Sequence, residues 1–178
     1  MQKIQNRDLT KGNIAKNLLA VSLPTMFGFF AQTFYDFVDM IWIGKISAQA
    51  VASVAIFTTI FWIADIFNEI IGISAVSLIS QNYGAKKIAK AKEIIEQSIS
   101  YKVIVSIVMG IILVLVLKPL SLFFSEENIV IQNILDYGLI RSIFLPFMFS
   151  SFSVNTAMRC TGDAKHPMII MISTAILN

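Results

Sequence analysis

The sequence predicts an all-α fold, a polytopic transmembrane helical bundle. Three observations support that prediction. Of the 178 residues, 56% are hydrophobic and only 14% charged, with a mean hydropathy of +0.75. The apolar residues come in long blocks, on the scale of the roughly 17–25 residues that a helical crossing needs. Lysines and arginines gather in alternate connecting segments. A soluble domain of this size has too little interior to cover so much apolar surface.

Residues 1–16 form a polar lead-in holding Lys3, Arg7, Lys11 and Lys16 against Asp8. No cleavable signal peptide is expected, because these residues are polar and the next apolar stretch is too long for an h-region. A first span is expected at about 17–43, with Gly44 and Lys45 opening a short turn that ends near Gln49. The second span, about 50–80, is long enough to tilt or project beyond the hydrocarbon. Residues 81–96, QNYGAKKIAKAKEIIE, read as a basic connector with Gly84 as a helix stop. From Ala85 its lysines alternate with apolar residues at helical spacing. This segment is either interfacial, with Lys87, Lys90 and Lys92 on anionic headgroups, or a solvated linker. A third span is expected at about 99–117 and a fourth at about 129–158, separated by a loop with Lys118, Glu126 and Glu127. The polar hairpin RCTGDAKHP leads into a fifth apolar run, about 167–178, too short to cross. The chain is therefore expected to stop within a helix and to be a fragment of a longer protein.

The basic residues also give an orientation. The lead-in, the connector after span 2 and the hairpin after span 4 hold most of them, whereas the two opposite loops hold Lys45 and Lys118. Cytoplasmic loops carry the excess of Lys and Arg, so the N-terminus is expected in the cytoplasm. The net charge of +3 is no sign of nucleic-acid binding.

Span 1, NLLAVSLPTMFGFFAQTFYDFVDMIWIG, carries two carboxylates, and ionisable groups inside a membrane mark functional sites by default. At roughly 100° per residue, Gly28, Gln32, Tyr35, Asp36 and Asp39 all fall within about 120° of Pro24. Phe30, Phe34, Phe37 and Ile41 take the other side. The polar stripe faces either a cavity or a hydrogen-bonding neighbour helix. Pro24 cannot donate to the carbonyl of Ala20, so a bend is expected there, static or hinge-like. Asp39 lies in the outer third of the membrane and Asp36 about one turn deeper. A partly buried, poorly hydrated carboxyl can exchange protons near neutral pH. Alternatively, Arg141 of span 4 pairs with Asp36 and locks two helices in register.

On span 2, Asp65 and Glu69 are one turn apart with Asn68 beside them. They either line a cation-attracting cavity with Asp36 and Asp39 or bond to neighbouring hydroxyls such as Ser106. Span 4 adds Asp136, Arg141 and Asn155. Interleaved aromatics, including Phe29, Phe61, Trp62 and Phe147, suit lipophilic cations through cation–π contact and equally suit ordinary membrane core. Cys160 and His166 stand alone, which leaves no basis for a metal centre or an intramembrane enzyme.

Three stretches together resemble the multidrug and toxic compound extrusion (MATE) transporters. LPTMFGFFAQTFYDFVDMIWIG is similar to the family's first span, SQNYGAKKIAKAKEI to its connector after span 2, and NTAMRCTGDAKHPMIIMISTAILN to its hairpin into span 5, with Arg159, Gly162 and Asp163 in the arginine–glycine–aspartate element. The resemblance implies a twelve-span exporter of two six-helix lobes, of which this chain is a partial N-terminal lobe and the C-terminal lobe its missing partner. It implies export of small organic cations in exchange for H+ or Na+, across a bacterial-type inner membrane, with no other cofactor. Asp39 takes the coupling position, with Na+ near it as the alternative to a proton, and Pro24 takes the bend. Asn178 matches a cavity-facing asparagine. The family usually has asparagine where this chain has Asp36, so either acid can be the one that titrates. The cavity candidates are Gln32, Tyr35, Asp65, Asn68, Glu69, Arg141, Asn155 and Asn178. A lipid-linked oligosaccharide flippase of the wider superfamily is the runner-up; its cavity is expected to be cationic, whereas the acids here favour cationic cargo. A passive membrane scaffold is the remaining alternative.

Overall fold

In the computed structural model, which describes residues 11–177, the chain forms six α-helices. They are α1 (Ile14–Ile46), α2 (Ala48–Gly84), α3 (Ile88–Phe124), α4 (Asn128–Ile143), α5 (Leu145–Cys160) and α6 (Lys165–Leu177). Helices α1, α2 and α3 are each long and apolar enough to cross a membrane, and the bent α4–α5 pair passes together as a fourth span. The fold is an all-α, multi-pass membrane bundle. Lys3, Arg7 and Asp8 of the lead-in and Asn178 lie outside the described residues.

The joints differ from the expected ones in three places. Helix α1 does not stop at Gly44; it runs on to Ile46, and Ser47 alone makes the reversal. Ser47 adopts an extended backbone, and its hydroxyl accepts from the Ala50 N–H at 3.0 Å, so one residue ends α1 and caps α2. Helix α2 does end at Gly84, and Lys86, with φ 61°, turns the chain. The basic stretch beyond this turn is not a separate interfacial segment: α3 starts at Ile88 and is unbroken through Pro119 to Phe124. Lys90, Lys92, Glu93 and Glu96 are compatible with helix, and Lys92 and Glu96 meet at 3.6 Å across one exposed turn.

The third difference is in span 4, expected to be continuous. It breaks at Phe144, and α4 and α5 meet at 53°. Pro146 is the cause: it has no N–H for the carbonyl of Ser142, and its ring disfavours helix at the residue before it. Gly110 of α3 packs against that carbonyl, where an added methyl would come within 3.1 Å.

The core sits between α2, α3, α4 and α5. Phe57, Ile60 and Phe61 meet Leu113 and Leu117, Val130 and Ile134, and Leu145 and Phe149. Phe57 stacks edge-on to Tyr137 at 5.0 Å. Gly138 admits this packing, since a methyl there would lie 2.5 Å from Leu117 and 2.8 Å from Phe57. Helices α1 and α6 flank the bundle and pack chiefly on each other, with Gly28 against Met168 and Met171. Among the described residues α1 buries Gly28 and α6 buries Pro167.

Candidate functional site

The covered side of α1 is the polar one. Pro24, Gly28, Gln32, Tyr35 and Asp39 are partly or fully covered, whereas Phe30, Phe34, Phe37 and Ile41 point away from the protein. Tyr35 hydrogen-bonds Asp39 one turn along, with Asp36 and Arg141 within electrostatic reach. Asp36 lies at the rim of this sector, exposed, and accepts from Gln32 Nε2 at 3.2 Å. The Arg141–Asp36 pair, the alternative to a titrating carboxyl, is not among the ion pairs of the described residues. The guanidinium sits instead 5.4 Å over the ring of Phe61 and 5.8 Å over that of Tyr137, a cation–π environment on the bundle side. Helix α1 continues across Pro24, and the hydroxyls of Ser22 and Thr25 back-bond to the carbonyls of Leu18 and Val21 at 2.6 and 2.8 Å.

The acids of α2 do not join those of α1 around one cavity. A cavity of about 780 Å³ opens between α1, α2 and α5, and Asp36 and Asp39 are not among its lining residues. It is walled by Leu18, Val21, Thr25 and Phe29 of α1, by Glu69, Gly72, Ile73 and Val76 of α2, and by Phe152, Thr156 and Arg159 of α5. Tyr83, Gly84 and Lys86 rim the end near the α2–α3 turn. Glu69 faces this space, whereas Asn68 is buried and donates to Asp65 Oδ1 at 3.1 Å. The hydroxyl partner considered for these acids, Ser106, bonds the carbonyl of Val103 at 2.7 Å instead. Arg159 lies 5.3 Å over the ring of Phe29 and reaches Thr156 Oγ1 at 3.4 Å. Asn155, on α5, is half-buried.

One residue outside the sequence-predicted candidates is central. Lys102 of α3 is 1% exposed, and among the described residues no atom accepts a hydrogen bond from its Nζ. The ammonium sits 5.3 Å over Phe152 and directly behind Gly72, where an added methyl would come within 3.4 Å of Nζ. The charges acting on it are Glu69 first and Asp65 second. With α3 starting at Ile88 rather than Ile99, Lys102 is about 21 Å into the helix at 1.5 Å per residue, not at its edge. A lone lysine inside an apolar span was the available signal.

The MatE family model matches residues 24–178. Among similar proteins, the probable multidrug resistance protein YoeA of Bacillus subtilis (strain 168) is 28% identical over 171 residues, which are 95% of this chain and 37% of that protein. The probable multidrug resistance protein YpnP of the same organism is 26% identical over 174 residues, 96% of this chain and 39% of that protein. A solved structure of an outward-facing multidrug resistance MATE family transporter of the MOP superfamily superposes with a TM-score of 0.90 at 20% identity. That match covers 99% of this chain and 39% of the other, and shows a shared fold. The chain thus spans about two fifths of the length of the relatives it matches.

Proposed function

The chain belongs to the MatE family, and on that premise we propose that the complete protein is a secondary active antiporter that exports small organic cations in exchange for H+ or Na+. Helices α1 to α6 make up most of an N-terminal lobe, with the N-terminus in the cytoplasm and a second lobe to move against. Alternating access in such transporters is one repeat rocking against the other around a fixed site.

The observation that carries this reading is the α1 stripe. Asp39 is hydrogen-bonded by Tyr35, Asp36 is held by Gln32, and the guanidinium of Arg141 stands within electrostatic reach. These groups sit on a helix whose far side is lipid-facing and whose near side is attached to the bundle only lightly. A carboxylate that accepts a hydrogen bond from a phenol can take up or release a proton with little rearrangement, and motion of α1 changes the water access of that carboxylate. Asp39 is the proton carrier in this account, and Asp36 sets the local field.

Everted membrane vesicles containing the complete protein test the proposal. An acid lumen should drive accumulation of a lipophilic cation dye, and a sodium-loaded lumen tried in turn identifies the coupling ion. Asp39→Asn should abolish accumulation while Asp36→Asn retains it. Dye levels that ignore both gradients would overturn the antiport reading.

One observation favours a second reading. The inner cavity carries Arg159 and Lys86 against Glu69, a balance that also suits the pyrophosphate of a lipid-linked oligosaccharide. Transbilayer movement of such a lipid without dye accumulation would support the flippase instead.

A further inference from the structure

We propose that Lys102 is a built-in counter-cation of Glu69, and that cargo cations entering the inner cavity displace the Lys102 proton. The inference rests on the antiport reading and adds a second exchange site to it, on the opposite side of the cavity from α1.

Four features of the site point this way. The Lys102 ammonium is almost fully buried and finds no hydrogen-bond acceptor among the described residues. Among the described residues no carboxylate lies within ion-pair distance of Nζ, and the nearest acids acting on it are on α2: Glu69, one turn before the Gly72 that backs Nζ, and then Asp65. Asp65 is already engaged by Asn68, so Glu69 is the free carboxylate of the pair. On the α5 side the group facing Lys102 is the ring of Phe152, and among the described residues neither α4 nor α5 sends it an acid.

Glu69 and Phe152 also line the cavity, and Gly72 is the thin wall between that cavity and Nζ. An organic cation held by Glu69 and stacked on Phe152 or Phe29 would therefore use the same carboxylate and the same ring that support Lys102. Lys102 is the buried partner, so a second positive charge held at Glu69 bears on its ammonium and favours the neutral amine. When the cargo binds, Lys–NH3+ becomes Lys–NH2 and the proton passes beside Gly72 into the cavity. The net charge of the site is unchanged. From the opposite side of the membrane, reprotonation of Lys102 evicts the cation from Glu69. Lysine suits the role and arginine does not, because a guanidinium does not give up its proton.

The test uses the complete protein in detergent, in weak buffer, titrated with tetraphenylphosphonium while released protons are counted. Wild type should release roughly one proton per cation bound, as linkage at a single shared carboxylate requires. Lys102→Met should bind the cation and release none. Lys102→Arg, permanently charged, should bind about tenfold or more weakly. Asp39→Asn should still release its proton, since the cavity does not include Asp39. Glu69→Gln alters an exposed side chain and serves as the second variant if Lys102→Met fails to fold; it should lose the coupled release. Full proton release by Lys102→Met or by Glu69→Gln overturns the inference. In that event, wild-type accumulation of tetraphenylphosphonium in acid-lumen vesicles would leave the antiport reading standing. Absence of wild-type accumulation would remove both.

Discussion

The bundle of α2, α3, α4 and α5 and the flanking pair of α1 and α6 are built on opposite principles. In the bundle, Phe57, Ile60, Leu117, Ile134 and Leu145 are essentially enclosed, Gly110 lies tight against the Ser142 carbonyl, and Gly138 leaves the space that the side chains of Leu117 and Phe57 fill. In the pair, Gly28 and Pro167 are the buried residues described, and α1 turns a row of phenylalanines outward. In a bilayer those outward rings gain little from burial in protein, because lipid tails are as apolar as they are; close packing is what holds helices together. The difference teaches where rigidity and motion reside. Lys102 and Glu69 belong to the packed body, whereas Asp36 and Asp39 ride on the helix that is least fixed.

The largest effect should come from breaking the bundle at its closest approach. Gly138→Leu places a side chain into Leu117 and Phe57 and should leave no folded, monodisperse protein on size exclusion. Next, Phe57→Ala should destabilise by about 3–5 kcal/mol in a thermal or denaturant assay, while Phe34→Ala, 60% exposed on the outer face of α1, should change stability by less than about 0.5 kcal/mol. Equal losses at Phe57 and Phe34 would erase the distinction between the two regions. A smaller effect is expected for Gly28→Ala, whose methyl meets the flexible thioether of Met171 at 3.0 Å. It should shift the melting temperature by only a degree or two, on the order of a fraction of a kcal/mol, yet slow dye efflux by loosening α1 from α6. Smallest of all, Lys92→Ala removes an exposed i,i+4 pair and should cost no more than about 0.5 kcal/mol.

Much of this was legible in the sequence. Apolar block length and the placement of lysines point to the helical membrane fold, and the 3.6-residue period puts Gln32, Tyr35 and Asp39 on the covered side of α1. The break in span 4 was not legible although Pro146 stands in the run, because hydropathy averages over a proline that removes one hydrogen bond. Lys102 was hidden for a related reason. Taking the basic stretch before it as a connector moves the expected start of the helix by eleven residues and leaves the lysine near a membrane edge. The inner cavity could not be read at all, since it depends on how Gly72, Phe152 and Phe29 converge from three helices. Nor could the fate of Arg141, which faces the aromatic rings of Phe61 and Tyr137 and not the carboxylate that was one of its two alternatives.

The central claim is that α1 moves against a rigid bundle when the coupling site changes its proton occupancy. Spin-label distances in the complete protein, with Cys160 first replaced by serine, measure this directly. One pair, Phe34→Cys with Ile104→Cys, spans α1 and α3; a second pair, Ile63→Cys with Ile104→Cys, stays within the bundle, and all three positions are exposed. Lowering the pH, or adding a lipophilic cation, should shift the α1–α3 distance distribution and leave the α2–α3 distribution unchanged. Equal shifts in both pairs, or a stationary α1, would contradict the account.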